Sequence, residues 1–128
     1  MILEGHDIPN EFSIIQQCLY VNAFVPEKYW VQYPAHISYF NRDGLISIYD
    51  EAEWEMRDMI SSYPFDLNLF NENTNYVRDR SLGKSCHRAR VKIDNLLFSA
   101  STENAIELSR IRAKLGIGQD LTGFFQAK

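Results

Sequence analysis

Three histidines, two cysteines and one dense run of carboxylates are the residues with which this chain could do chemistry. A zinc site gathers three or four such ligands, usually with close pairs in sequence. His6, His36 and His87 are far apart, and neither a CxxC nor an HxxxH spacing occurs. Cys86-His87 is the only close pair of ligand types, and neighbours on a strand point to opposite faces. No metal site and no cofactor is expected.

Cys86 could act as a nucleophile. Lys84, Arg88 and Arg90 flank it in sequence, and positive charge lowers a thiol pKa. Its base would have to be His6 or His36, delivered by the fold, and an ordinary loop cysteine is the simpler expectation. Gly83-Lys84-Ser85 matches the end of a phosphate loop. The full pattern needs a glycine five residues before Gly83, where Arg78 stands, and no apolar helix is expected to follow. Gly116-Ile117-Gly118 is a fragment of a dinucleotide fingerprint, but it ends a helix instead of opening one.

The carboxylates are Asp50, Glu51, Glu53, Glu55 and Asp58. Catalytic carboxylates work in clefts with shifted pKa values, whereas a charge run on a helix is ordinarily solvated. Trp54 lies among them, outside the apolar stripe expected of that helix. An exposed tryptophan ringed by carboxylates has the make-up of a binding hot spot. A basic segment follows later: Arg78, Arg80, Lys84, Arg88, Arg90 and Lys92. On neighbouring strands it would form a cationic stripe able to follow phosphates.

These two runs express a wider asymmetry. Residues 1–77 hold twelve acids and three bases, and residues 78–128 hold five acids and ten bases. The first segment therefore carries −9 and the second +5, for the whole-chain charge of −4. The split points to a charged partner or to two faces of opposite sign. The plainer alternative is that the two segments neutralise each other inside one fold.

Local signals suggest the elements that must position these residues. A helix is expected over about 11–21, capped by Asn10 or by Ser13 with Gln16 completing a capping box. Residues 24–36 read as an irregular aromatic loop. Asn41-Arg42-Asp43-Gly44, between Ile37–Phe40 and Leu45–Tyr49, reads as a β-hairpin turn. Asp50 would cap a helix over roughly 51–63, with Ala52, Met56, Met59, Ile60 and Tyr63 on one stripe and Pro64 as its stop. Strands are expected at 76–80 and within 88–99, with Cys86 in the loop between them. A last helix over 103–115 is capped by Ser101 or Thr102 and stopped by Gly116. The tail with Phe124 and Phe125 would dock on the body.

The order α-β-β-α-β-β-α implies an α+β fold: helices packed on a small, mainly antiparallel sheet. At 128 residues and 45% hydrophobic content, one globular domain spanning 1–128 is expected. No apolar run approaches the length of a membrane span. The start lacks the basic and apolar regions of a signal peptide, and two cysteines make no secreted disulfide framework. A cytoplasmic, reduced protein is the expectation. The function expected is a small protein-binding module of the immunity-protein or antitoxin type. It would neutralise a basic protein partner, such as a nuclease toxin, through Asp50, Glu51, Glu53, Trp54, Glu55 and Asp58. Nucleic-acid binding through residues 78–92 is the alternative, and an enzyme with an unrecognised site the third reading.

Overall fold

A computed structural model describes residues 3–36 and 38–128. The chain order is β1 (Glu4–Pro9), α1 (Ile14–Val21), α2 (Arg42–Glu51), β2 (Trp54–Ser61), α3 (Gly83–Ala100), α4 (Thr102–Leu115) and β3 (Asp120–Ala127). Short 3-10 turns at Phe65–Phe70 and Arg80–Leu82 fill the span between β2 and α3. The three strands form one antiparallel sheet in the order β1-β3-β2. The α+β class with an antiparallel sheet holds, but the element order is β-α-α-β-α-α-β.

Two helices form where the sequence signals them. Ser13 accepts from the Gln16 amide at 3.2 Å, and the Gln16 side chain accepts from the Ser13 amide, so the capping box closes on α1. Ser101 caps α4, and Gly116, at φ 69°, ends it in the left-handed conformation that glycine tolerates.

The hairpin expected over 37–49 is a helix instead, although Ile37 itself lies outside the described residues. Asn41 Oδ1 accepts from the Gly44 amide at 3.0 Å, which makes Asn41 an N-cap and not a turn residue. Leu45 and Tyr49, four apart, then face the core together. The helix expected over 51–63 is the strand β2. A bulge between Met56 and Asp58 inserts Arg57 into the strand. The core-facing residues Met56 and Met59 thereby fall three apart, which imitates helical spacing. Glu53, at φ 64°, makes the left-handed turn that separates α2 from β2.

The strands expected within 76–99 are replaced by a loop, a 3-10 turn and the 18-residue α3. Alternation in Arg90-Val91-Lys92-Ile93 spans only four residues. The inward positions Cys86, Arg90, Asp94 and Leu97 follow a helical period. The tail is not a docked appendage but the central strand of the sheet. Leu121, Gly123 and Phe125 alternate inward along it.

The main core joins Leu45 of α2, Met59 of β2, Ala113 of α4, and Leu121 and Phe125 of β3. The Phe125 ring stacks on Tyr49 with centroids 3.9 Å apart. Gly123 leaves room for that ring, because a Cβ there would sit 2.5 Å from it. A second cluster, Ile15, Leu19, Val25 and Leu69, packs α1 against the 3-10 turn at 65–70. Asn10 ties the two together, donating to the Gly118 carbonyl at 2.7 Å and the Gly116 carbonyl at 3.2 Å. Among the described residues, no helix is long and apolar enough to cross a membrane.

Candidate functional site

The acidic residues do not line one helix. Asp50 and Glu51 end α2, Glu53 makes the turn, and Glu55 and Asp58 belong to β2. Asp58 turns away from this group and is held by Arg110 of α4. Arg110 donates through Nη2 at 2.9 Å and through Nε at 3.1 Å. The guanidinium holds the Asp58 carboxyl below the usual carboxylate range. Here the acidic and basic segments do neutralise each other.

Three of the other four acids, Asp50, Glu53 and Glu55, gather around Lys128. Lys128 Nζ donates to Asp50 Oδ1 at 2.7 Å, and its backbone amide donates to the Glu53 carbonyl at 2.9 Å. The hydrogen bond to Asp50 holds Lys128 above the usual lysine range, with Glu53 and Glu55 adding to the same field. Glu55 also pairs with Arg57 at 3.1 Å. Glu51 and Glu53 are exposed and have no base within 4.0 Å among the described residues. Trp54 is not a solvent-facing ring amid carboxylates. It is half-buried against the main core and anchors the turn from below.

The basic residues also separate by role. Arg78 closes the C-terminal end of α1, donating to the carbonyls of Ala23 at 2.7 Å and Phe24 at 3.0 Å. Arg90 points inward on α3, near enough to Asp120 to lower the pKa of that carboxyl against the larger effect of burial, which raises it. Lys84, Arg88 and Lys92 are exposed, four residues apart on one helical face, with Arg80 on the 3-10 turn before them. None of these four pairs with a carboxylate within 4.0 Å among the described residues. The cationic stripe is therefore a helix face and not a pair of strands.

The chemistry considered for Cys86 loses its setting. Cys86 is buried on α3, not in a loop, and its Sγ lies 3.6 Å from the Thr74 carbonyl. Gly83-Lys84-Ser85 does open a helix, but Ser85 Oγ donates to the Leu82 carbonyl at 3.0 Å. Among the described residues, no three His, Cys, Asp or Glu side chains are grouped to hold a metal ion.

A polar cavity went unread in the sequence. It encloses about 310 Å3 between the β1–α1 connection, the aromatic loop and the 3-10 turn at 65–70, and is lined by Glu11, Gln16, Tyr29, Trp30, Asp66 and Tyr76. Asp66 accepts from the Tyr76 hydroxyl at 2.7 Å and from Gln16 Nε2 at 3.4 Å. Glu11 is only 8% exposed, and its Oε1 lies 4.0 Å from His36 Nδ1. Burial pushes the Glu11 carboxyl up, against the smaller lowering effects of Gln16 and His36, and the charges of Asp66 and Asp120 add slightly to the rise. Burial, with the Asp66 carboxylate adding to it, also raises Tyr29 and Tyr76 far above the usual phenol range. Glu11 Oε2, the Tyr29 hydroxyl and Trp30 Nε1 are buried without a hydrogen-bond partner, and each is closed off from the space of the cavity itself. A larger cavity of about 590 Å3 lies by Phe24 and Phe70. Its Asn75 and Arg78 side chains are already bonded to backbone carbonyls.

No family model, curated protein or solved structure matches this chain. The functional reading therefore rests on the chemistry of these surfaces.

Proposed function

We propose that the protein is a binding module of the immunity or antitoxin type, which engages a basic protein such as a nuclease toxin through the acidic end of its sheet. The observation that carries the reading is the cluster of Asp50, Glu51, Glu53 and Glu55, in which Lys128 pairs with Asp50 and Arg57 with Glu55 while Glu51 and Glu53 stay exposed and unpaired among the described residues. A nuclease holds phosphates in a basic cleft, and carboxylates at fixed spacing can occupy that cleft in their place. Like-signed charge concentrated on one end steers a basic partner into contact at rates above ordinary docking. Trp54, packed on the core beneath, keeps the turn in one shape before binding, which limits the ordering cost of association. Asp58 takes no part in this surface, because Arg110 occupies it. The test is co-purification from the native host at low and high salt, with the wild-type protein and with E51K/E53K/E55K. The reading requires a basic protein that the variant fails to retain. An equally retained partner, or an acidic one, overturns it.

A second reading, nucleic-acid binding, is favoured by the alignment of Lys84, Arg88 and Lys92 on one exposed face of α3, successive residues rising about 6 Å along the axis. Phosphate contacts from such a face make affinity fall steeply with salt. A mobility-shift titration with duplex DNA and single-stranded RNA at several salt concentrations decides it. Absence of binding at low salt removes this reading.

A further inference from the structure

α3 meets the body through a line of residues that its apolar content does not explain. Among its described residues, Cys86 alone is buried. A surface helix ordinarily turns its apolar stripe to the core. Here the inward line is Cys86, Arg90, Asp94 and Leu97, half of it charged. Ala89, Ile93, Leu96 and Ala100 are exposed instead, Ile93 at 38% and Leu96 at 68%. They recur at steps of four, three and four residues, so they share one strip along the helix. At 3.6 residues per turn the strip lies about a quarter-turn from the inward line and rises about 16 Å. Neither Ile93 nor Leu96 belongs to either core cluster. Arg88 and Lys92 run along the outer edge of the strip, exposed, with no carboxylate within 4.0 Å among the described residues.

We propose that this strip docks an acidic amphipathic helix of a partner protein, about three turns long, laid along the flank of α3. The four-three-four spacing is that of a helix–helix seam, in which the apolar residues of two helices interdigitate. Ile93 and Leu96 supply the anchors, and the small side chains of Ala89 and Ala100 let the partner backbone approach at either end. The partner's charge follows from the outer edge. Acids beside its own seam meet Arg88 and Lys92, whereas bases there are repelled. The other edge of the strip is Arg90 and Leu97, turned inward, so the partner needs acids on one edge alone. A second copy of α3 fits poorly, because seam against seam brings Arg88 and Lys92 of both chains together. A bilayer also fits poorly. Lys84, Arg88 and Lys92 lie outermost and the strip lies on the flank, so a flat surface meets the charges and leaves the apolar residues uncovered. Nucleic acid would use the same cations and neither Ile93 nor Leu96. The strip shares no residue with the acidic end of the sheet and stands or falls separately from the toxin-inhibitor reading.

The test titrates the full chain into labelled helical peptides of about fourteen residues, enough to span the strip. Each peptide carries a seam of Leu, Ile or Val at the same spacing, with Glu along one edge. Counterparts carry Lys on that edge, or the same composition with the seam scrambled. Vesicles with and without phosphatidylserine, duplex DNA, and sedimentation of the chain alone are the other arms. At least one Glu-edged peptide is expected to bind saturably, about tenfold or more tighter than its counterparts, and to shift the amide resonances of Ile93 and Leu96. L96D, and I93D as a second variant, should each weaken it about tenfold or more while circular dichroism stays unchanged. R88E/K92E should reverse the preference, so that the Lys-edged peptide binds best. The proposal is overturned if no Glu-edged peptide binds more tightly than its counterparts, or if both L96D and I93D bind as the wild type does. It is also overturned if vesicles cover Ile93 and Leu96 more tightly than any peptide, or if the chain self-associates through them. DNA binding that survives L96D, with no Glu-edged peptide bound, overturns it and leaves the nucleic-acid reading standing.

Discussion

Replacing Glu11 by glutamine should make the protein more stable at neutral pH. The residue is only 8% exposed, one of its oxygens has no partner, and its nearest base, His36, is 4.0 Å away. Asp66 and Asp120 add repulsion. Ionising Glu11 in the folded chain is therefore costlier than in the unfolded chain, where its value is near 4.5. The sign follows from linkage. A carboxyl raised by folding favours the native state while it is protonated, and withdraws that favour as pH rises from about 4.5 through the folded value. Glutamine keeps the shape and cannot ionise. E11Q should then match the wild type near pH 4 and gain on it with rising pH, levelling at about 1–3 kcal/mol, the cost of a buried polar group without a partner. Urea unfolding at half-unit steps from pH 4 to pH 8 measures the gap. A gap that does not change with pH, or one that favours the wild type at pH 7, would refute the reasoning.

Three other substitutions follow from the packing. G118A puts a Cβ 1.6 Å from Ser61 Oγ and 2.7 Å from the Ser62 carbonyl, so overpacking should cost about 1–3 kcal/mol in thermal unfolding. N10A deletes both bonds to the Gly116 and Gly118 carbonyls in a buried setting and should cost about 2–3 kcal/mol in urea. Asp58 is held below its usual range by Arg110, so its contribution is present above about pH 3.8 and is lost as pH falls below that. D58N should remove that dependence, and its effect should shrink as salt is raised, because the pair is more than one-third exposed.

The legible parts of this fold are those whose signals are local. Ser13 with Gln16, and Ser101 with Gly116, define α1 and α4 from a few neighbouring residues. The sheet was hidden because its pairing joins the two ends of the chain: Asp7 lies opposite Thr122, and Ile8 opposite Leu121. β1 is an edge strand with alternating polar residues, so it lacks the apolar run that announces a strand. The bulge at Arg57 disguised β2 as a helix, and the cap at Asn41 disguised a helix as a hairpin. The charge split was visible at once, but its partition was not. Asp58 and Arg110 are 52 residues apart and cancel, whereas Asp50 to Glu55 remain together because they share one turn. The polar cavity had no sequence signature, since Glu11, Tyr29, Asp66 and Tyr76 are scattered over four segments and the fold alone assembles them.

The proposed inhibitor role depends most directly on the acidic end of the sheet. Co-purification from the native host, comparing wild type with E51K/E53K/E55K at matched salt, measures that dependence. The account predicts one basic protein held by the wild type, released as salt is raised, and absent from the variant. Retention of the same partner by the variant, at the same salt resistance, would contradict it.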